Sequence, residues 1–241
     1  MRKRGKLYGI GLGPGNPQLL TLKAVQVLQD VAVIFVPRSD SREASLAREV
    51  VAPFINPNHQ VREFVFPMTA VAHKREKALR EIALSVAGVL DEGRDAAFVT
   101  MGDSTLYSTF FYLLKELKKI RSDLEVETVP GITSFSAAAA LLNRALAVGQ
   151  ESLAVIPATA NEQFLYQVLS AFDNVVLLKV APVLQRVLGI LAELGRLEES
   201  AFVCRCGLTE QLLVDNLATA GDLPEDYFSL ILVSRSREGI I

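Results

Sequence analysis

The sequence predicts an α/β fold in which a mainly parallel sheet carries helices on both faces and the chain divides into two domains near residue 121. Three observations lead there. Short apolar runs, each long enough for one buried strand, alternate with stretches whose apolar residues recur at helical spacing. The runs are apolar throughout rather than in every second position, as in strands covered on both sides. Arg121 to Glu125 is polar and charged, the composition of a linker. With 241 residues, half of them hydrophobic, the chain can bury one large core or two smaller ones.

The elements follow in order. Leu7 to Leu12 is a short apolar run ending in glycines, and Leu19 to Leu28 has helical spacing, which gives strand, glycine loop and helix. Val31 to Val36 is a second strand, ended by Pro37. Glu43 to Val51 is helical, Val61 to Phe66 alternates as a strand does, and Lys74 to Leu90 is a long amphipathic helix closed by Gly93. Ala96 to Thr100 is a strand, and Phe110 to Lys119 a helix. Beyond the polar stretch come strand Glu127 to Val129, a helix of small residues from Phe135 to Leu142, strand Leu153 to Ile156 and helix Glu162 to Ser170. Val175 to Val180, Ala201 to Arg205 and Ser229 to Val233 read as strands, and Val183 to Leu194 as a helix. Gln211 to Leu217 fits either pattern.

Composition excludes several functions. A net charge of -2 and a pI of about 5.8 leave no basic excess to neutralise a phosphate backbone, so nucleic acid is not the expected partner. His59 and His73 are the only histidines, and neither stands in a ligand spacing, so no protein-bound metal is expected. Cys204 and Cys206, one residue apart on a strand, point to opposite faces and suit a reducing compartment better than a disulfide. The apolar run behind the basic Met1 to Lys6 is interrupted by glycines and prolines, unlike a signal peptide. The longest apolar stretches fall short of the roughly 20 residues that span a bilayer. A cytoplasmic enzyme without a membrane anchor is the expectation.

Three loops carry the candidate chemistry. The first, Gly9-Ile10-Gly11-Leu12-Gly13-Pro14-Gly15-Asn16-Pro17, allows a ligand close to its backbone. It fails the dinucleotide spacing, because the sixth residue is Pro14 counted from Gly9 and Asn16 counted from Gly11. Nor does a Gly-Lys-Ser/Thr end follow, as an ATPase loop requires. A tight turn alone would also explain it. The second loop, Thr100 to Ser108, follows a buried strand; its Asp103 either accepts hydrogen bonds from a ribose or an amine or caps the next helix. In the third, Val129 to Ser136, Thr133 or Ser134 either caps the next helix or meets a ligand. Lys179, ending an apolar strand, can equally snorkel to solvent.

Taken together, the order and spacing of these loops resemble the tetrapyrrole methylases, from about Leu7 to about Val233. The resemblance implies two α/β domains, 1–121 around a mainly parallel sheet and 122–241 around a mixed one. S-adenosylmethionine is expected folded in the cleft between them, and the fold is not that of a Rossmann methyltransferase. The family's cofactor contacts fall on Leu12 and Pro14 in the first loop, Gly102, Asp103, Leu106 and Tyr107 in the second, and Thr133 and Ser134 in the third. They extend to Lys179 and to Gly207 and Leu208 in Arg205-Cys206-Gly207-Leu208. A homodimer is implied as well.

Within the family, Asp103 to Phe110, Ser134 to Ala139, Val175 to Val180 and Phe66-Pro67-Met68-Thr69 look most like the precorrin-2 C-20 methyltransferases. The implied substrate is a reduced tetrapyrrole, metal-free or carrying cobalt, whose carboxylates call for arginines; Arg38, after the second strand, is the first candidate. Asp103 is expected to position the donor rather than serve as a base, and no base is identified. The alternatives are methylation of another ring position or of uroporphyrinogen III, a diphthine-type protein methylase, and a non-catalytic binding module. A nicotinamide-dependent oxidoreductase is disfavoured by the glycine spacing and by Val36-Pro37-Arg38, which lacks the acidic residue that holds a ribose.

Overall fold

The computed structural model describes residues 4–38, 45–65 and 72–235. The chain separates into two compact units, Met1–Thr133 and Ser134–Ile241.

In the first unit strands and helices alternate: β1 (Leu7–Gly11), α1 (Leu22–Asp30), β2 (Val33–Arg38), α2 (Leu46–Val51), β3 (Gln60–Val65), α3 (Ala72–Asp91), β4 (Ala96–Thr100), α4 (Thr109–Ile120) and β5 (Val126–Val129). Side-chain caps set the helix starts. Thr21 accepts from the Ala24 N–H at 3.1 Å, Ser45 from Arg48 at 3.3 Å and Ser108 from Phe110 at 3.1 Å. The strand order is β3-β2-β4-β1-β5, and every pairing is parallel. A dinucleotide fold has β1 beside β2; here β4 lies between them.

Alternation along the strands builds two cores. Leu7, Val33, Phe35, Ala96 and Phe98 pack with α3 and α4, while Ile10, Ile34, Val36, Ala97 and Val99 pack with α1 and α2. Burying each of the larger side chains contributes about 1.5–3 kcal/mol, so the strands are apolar because both faces are covered. Phe110 of α4 lies directly on β1, where a Cβ on Gly9 would be 2.2 Å from its ring.

The second unit contains α5 (Ser134–Leu141), β6 (Leu153–Pro157), α6 (Glu162–Ala171), β7 (Asn174–Leu178), α7 (Leu184–Glu193), β8 (Ser200–Cys204), β9 (Leu212–Val214) and β10 (Ser229–Ser234). Its sheet has the order β6-β7-β10-β8-β9, with β6 and β7 parallel and the remaining pairs antiparallel. Arg196, 5% exposed, donates to the Leu169, Phe172 and Asp173 carbonyls at the end of α6, at 2.6, 3.3 and 3.0 Å.

Three expectations need correction. The polar stretch at 121–125 joins α4 to β5 inside the first unit, because β5 pairs with β1 from Leu7 opposite Val126 onward. The compact division falls later, at Thr133/Ser134. Pro37 does not end β2. It stands opposite Phe64 of β3, while the pairing with β4 has already stopped at Phe35, so its missing N–H falls on an unpaired side. The run from Val175 stops at Leu178, and Lys179 takes a left-handed φ of 59°. Residues 39–44 and the Phe66-Pro67-Met68-Thr69 segment lie outside the described residues, as does the side chain of His73.

Candidate functional site

The three loops leave the carboxyl ends of β4, β1 and β5, three neighbouring strands of the first sheet. From β1 the chain turns into α1 on one face, and from β4 into α4 on the other. Neighbouring strands whose connections depart to opposite faces leave a crevice at their carboxyl ends, the usual ligand position in open parallel sheets.

Backbone contacts lock the loops together. Gly13 and Gly102 exchange two hydrogen bonds, N–H to carbonyl at 3.0 and 2.7 Å, and the Leu12 N–H donates to the Thr100 carbonyl at 2.8 Å. Glycine is required where the third loop meets the other two. A Cβ on Gly131 would stand 2.3 Å from the Gly102 oxygen, and one on Gly11 would be 2.6 Å from the Gly131 nitrogen. Gly102 itself has a φ of +71° and no atom within 4 Å of where a Cβ would lie, so open space faces this turn.

Asp103 organises the second loop. One carboxylate oxygen accepts from the Thr105 N–H at 2.8 Å and from the Thr105 hydroxyl; the other accepts from the Gly131 N–H at 2.8 Å. Beside it Ser104, fully buried, donates to the Val129 carbonyl at 2.9 Å. Burial pushes the Asp103 carboxyl up, but the Thr105 hydroxyl and the N–H groups of Gly131, Thr105 and Leu106 together hold it below the ordinary carboxylate range. It is therefore an ionised acceptor at neutral pH. Capping of α4 falls to Ser108 rather than Asp103.

The remaining residues singled out in the sequence divide between the two units. Leu12 is buried in the core on the α1 face and its N–H is already bonded, so it can meet a ligand only through its carbonyl. Pro14 is buried, Leu106 is half-buried, and Tyr107, 47% exposed, has a left-handed φ of 50°. Thr133 stands at the cap position of α5, and Ser134 opens that helix. In the second unit β7 and β8 flank β10 and run in the same direction, so Lys179 and the Arg205 to Leu208 turn lie at one end of that sheet. The turn is held by Arg205, paired with Asp226 and Glu210 at 2.8 Å each, and by the Gly207 N–H on the Gln211 side chain at 2.9 Å. Left-handed residues mark both places: Lys179 at 59°, Arg205 at 52° and Gly207 at 74°. Such conformations gather at binding sites. Arg38 is exposed at the carboxyl end of β2.

Sequence reading missed Gly11, Gly131, Ser104 and Thr105, whose roles are to join loops rather than to meet a ligand. The only signal for Ser104 and Thr105 was their place directly after Asp103. Cys204 packs in the core of the second unit, and Cys206 is buried just beyond β8; burial raises both thiols, Cys206 to about 11. Among the described residues no group of three His, Cys, Asp or Glu side chains could hold a metal ion, and no helix is long and apolar enough to cross a membrane.

Comparison with known proteins gives this arrangement a context. The chain is 34% identical over 235 residues to the cobalt-precorrin-2 C(20)-methyltransferase of Salmonella typhimurium, covering 97% of this chain and 98% of that one. It is 32% identical over 237 residues to the precorrin-2 C(20)-methyltransferase of a Sinorhizobium species, covering 95% of each. Among solved structures, uroporphyrin-III C-methyl transferase from Thermus thermophilus, complexed with S-adenyl homocysteine, superposes with a TM-score of 0.66 at 20% identity, over 95% of this chain and 97% of that one. The family model for the tetrapyrrole (corrin/porphyrin) methylases matches residues 6–221, nearly the whole span that contains these loops, and the chain belongs to that family.

Proposed function

We propose that the protein transfers the methyl group of S-adenosylmethionine to carbon 20 of precorrin-2 or of its cobalt-loaded form, a step of cobalamin biosynthesis. The observation that carries this reading is the interlocked set of loops at the carboxyl ends of β4, β1 and β5, in a chain with full-length relatives named for C(20) methylation. The donor fits these residues. Gly102 leaves open space beside the turn, and the ionised Asp103 gives the second loop a negative charge that suits a donor carrying positive charge.

The donor supplies a methyl group made electrophilic by its sulfonium, and the ring supplies an enamine-like carbon, so no strong protein nucleophile is needed. What remains for the chain is to hold the two in line and keep water out. In this reading the donor's contacts are Leu12, Pro14, Gly102, Asp103, Leu106, Tyr107, Thr133, Ser134, Lys179, Gly207 and Leu208. Asp103 serves as a positioning residue. Its carboxylate oxygens are occupied by Thr105 and Gly131, and its lowered pKa makes it a poor proton acceptor at neutral pH. No residue of this set is assigned as the acceptor of the proton that leaves carbon 20. Arg38 contributes a charge for the ring's carboxylates. The enzyme works as a cytoplasmic homodimer.

The test is an anaerobic incubation of the purified protein with S-adenosylmethionine and precorrin-2, with and without cobalt, followed by mass spectrometry and NMR. One added methyl at carbon 20 is expected, and the preferred metal state identifies the natural substrate. A methyl at another ring position would replace this assignment with a different activity of the same family.

A further inference from the structure

Directly after β8 the chain makes a turn whose backbone is strained and whose bracing is unusually complete. Arg205, Gly207 and Glu210 have left-handed backbones, with φ of 52°, 74° and 62°. Glycine takes that shape freely, but arginine and glutamate take it against a clash of Cβ with the following carbonyl oxygen. Residues of this kind persist only where their surroundings fix them. Arg205 is fixed through every polar group it has that bears on the turn. Its N–H donates to the Phe228 carbonyl at 2.9 Å, just ahead of β10, and its own carbonyl accepts from the Leu208 N–H at 2.9 Å, which closes the turn. Its Nε donates to Asp226 and its Nη1 to Glu210, each at 2.8 Å.

The two arms of this fork are unequal. Glu210 is 79% exposed, so its pairing is screened by solvent and adds little. Asp226 is 18% exposed and is itself fastened: its other oxygen accepts from the Phe228 N–H at 2.8 Å, and its carbonyl accepts from the Ser229 hydroxyl at 2.6 Å. Burial pushes the Asp226 carboxyl up, but the Arg205 guanidinium and the Phe228 N–H bring it below the ordinary carboxylate range, so the pair is ionised at neutral pH. The guanidinium thus ties the turn to the entry of β10, the middle strand of its sheet. A partly exposed ion pair stabilises no more than a left-handed arginine costs, so the arrangement adds little to the stability of the fold. What it fixes is shape. Cys206 is buried, the Gly207 N–H is held by the Gln211 side chain, and the backbone from Cys206 to Leu208 is left with one conformation.

We propose that Arg205 is a positioning residue for the methyl donor: by bridging the turn to Asp226, it holds Gly207 and Leu208 in the conformation that receives S-adenosylmethionine. It acts through the turn and not by touching the donor. The inference rests on the proposed function, in which Gly207 and Leu208 are donor contacts.

Arg205→Gly, Arg205→Lys and Asp226→Asn in the full chain test it. Arg205→Gly removes the guanidinium and the left-handed strain together, so its melting temperature should stay within a few degrees of the wild type. Its affinity for S-adenosylhomocysteine, measured by calorimetry, should fall roughly tenfold, as when a contact loop must be ordered on binding, and KM for S-adenosylmethionine should rise to match. KM for the tetrapyrrole should not change. Arg205→Lys, which keeps a charge for Asp226, should recover part of the loss, and Asp226→Asn should reproduce it. Wild-type donor affinity in Arg205→Gly overturns the proposal. So does a much lower melting temperature with both KM values raised alike, the behaviour of a residue that supports the fold as a whole. Calorimetry keeps this inference apart from the one beneath it. If the wild type binds S-adenosylhomocysteine but methylates no tetrapyrrole, the proposed function fails while the affinity of Arg205→Gly still decides the role of Arg205; if it does not bind S-adenosylhomocysteine, both fail.

Discussion

Substituting Gly131 by alanine tests the loop arrangement most directly. The new Cβ would lie 2.3 Å from the Gly102 oxygen and 2.7 and 2.8 Å from the carbonyl carbon and oxygen of Gly11. An ordinary carbon–oxygen contact needs about 3.3 Å. All three neighbours are backbone, with no flexible side chain to move aside, so the third loop must retreat by about 1 Å. That displacement takes the Gly131 N–H, now 2.8 Å from Asp103, beyond hydrogen-bond reach. Overpacking costs about 1–3 kcal/mol and a hydrogen bond to a charged group is worth about 1.5–3 kcal/mol, less where solvent reaches it, so a loss of about 2–4 kcal/mol is expected. In a chain of this size that lowers the melting temperature by roughly 5–15 °C. Affinity for S-adenosylhomocysteine, measured by calorimetry, should fall with it. Gly102→Ala is the companion. It meets no atom within 4 Å but must hold a φ of +71°, which costs about 1–2 kcal/mol. It should therefore melt closer to the wild type while still weakening donor binding, since its methyl fills the space that faces the turn. A Gly131→Ala protein with wild-type melting temperature and wild-type affinity would refute the reasoning.

Further expectations follow from single residues. Asp103 has a lowered carboxyl pKa, so its contribution to stability is complete above the unfolded value of about 3.9 and is lost as pH falls through the folded value. Melting temperature should show no Asp103-dependent slope between pH 5 and 8, and Asp103→Asn should flatten part of the fall below about pH 4. With Cys206 raised to about 11 and Cys204 raised as well, neither thiol should react with a maleimide at pH 7.5 in the native protein, and both should react in denaturant; labelling counted by mass spectrometry checks this. Arg196→Ala leaves three carbonyls at the end of α6 without their donor and should cost about 3 kcal/mol, read as a lower midpoint in urea.

Much of the fold was legible because the chain punctuates itself. Ala96 to Thr100 is a strand with the bounds its apolar run suggested, and α6 begins at Glu162 as its spacing suggested; the caps Thr21 and Ser45 lie inside the runs read as helix from Leu19 and from Glu43. Gln211 to Leu217 was ambiguous for a physical reason: it holds only the three-residue edge strand β9 and then a 3₁₀ turn. Strand order leaves no periodicity to read, which is why β5 was assigned to the second domain although it pairs with β1. A polar surface connection has the same composition whether it joins two elements or two domains. The loops were visible as loops. Their mutual contact was not, because Gly11, Gly102 and Gly131 meet through backbone atoms, and a glycine in the sequence does not say what lies against it.

The strand order also shapes how the protein comes into being. β1 is made first, yet one of its neighbours is β4 and the other β5, so the first strand stays half-exposed until more than half of the chain has been synthesised. Gly11, Gly102 and Gly131 cannot meet before then. Contacts this distant along the chain close slowly, because loop entropy must be spent before the contact returns anything. Donor binding should therefore be among the last properties to appear during refolding. A nascent chain halted before Val126 would display β1, with its apolar Leu7 and Ile10, as an open strand edge that chaperones must shield.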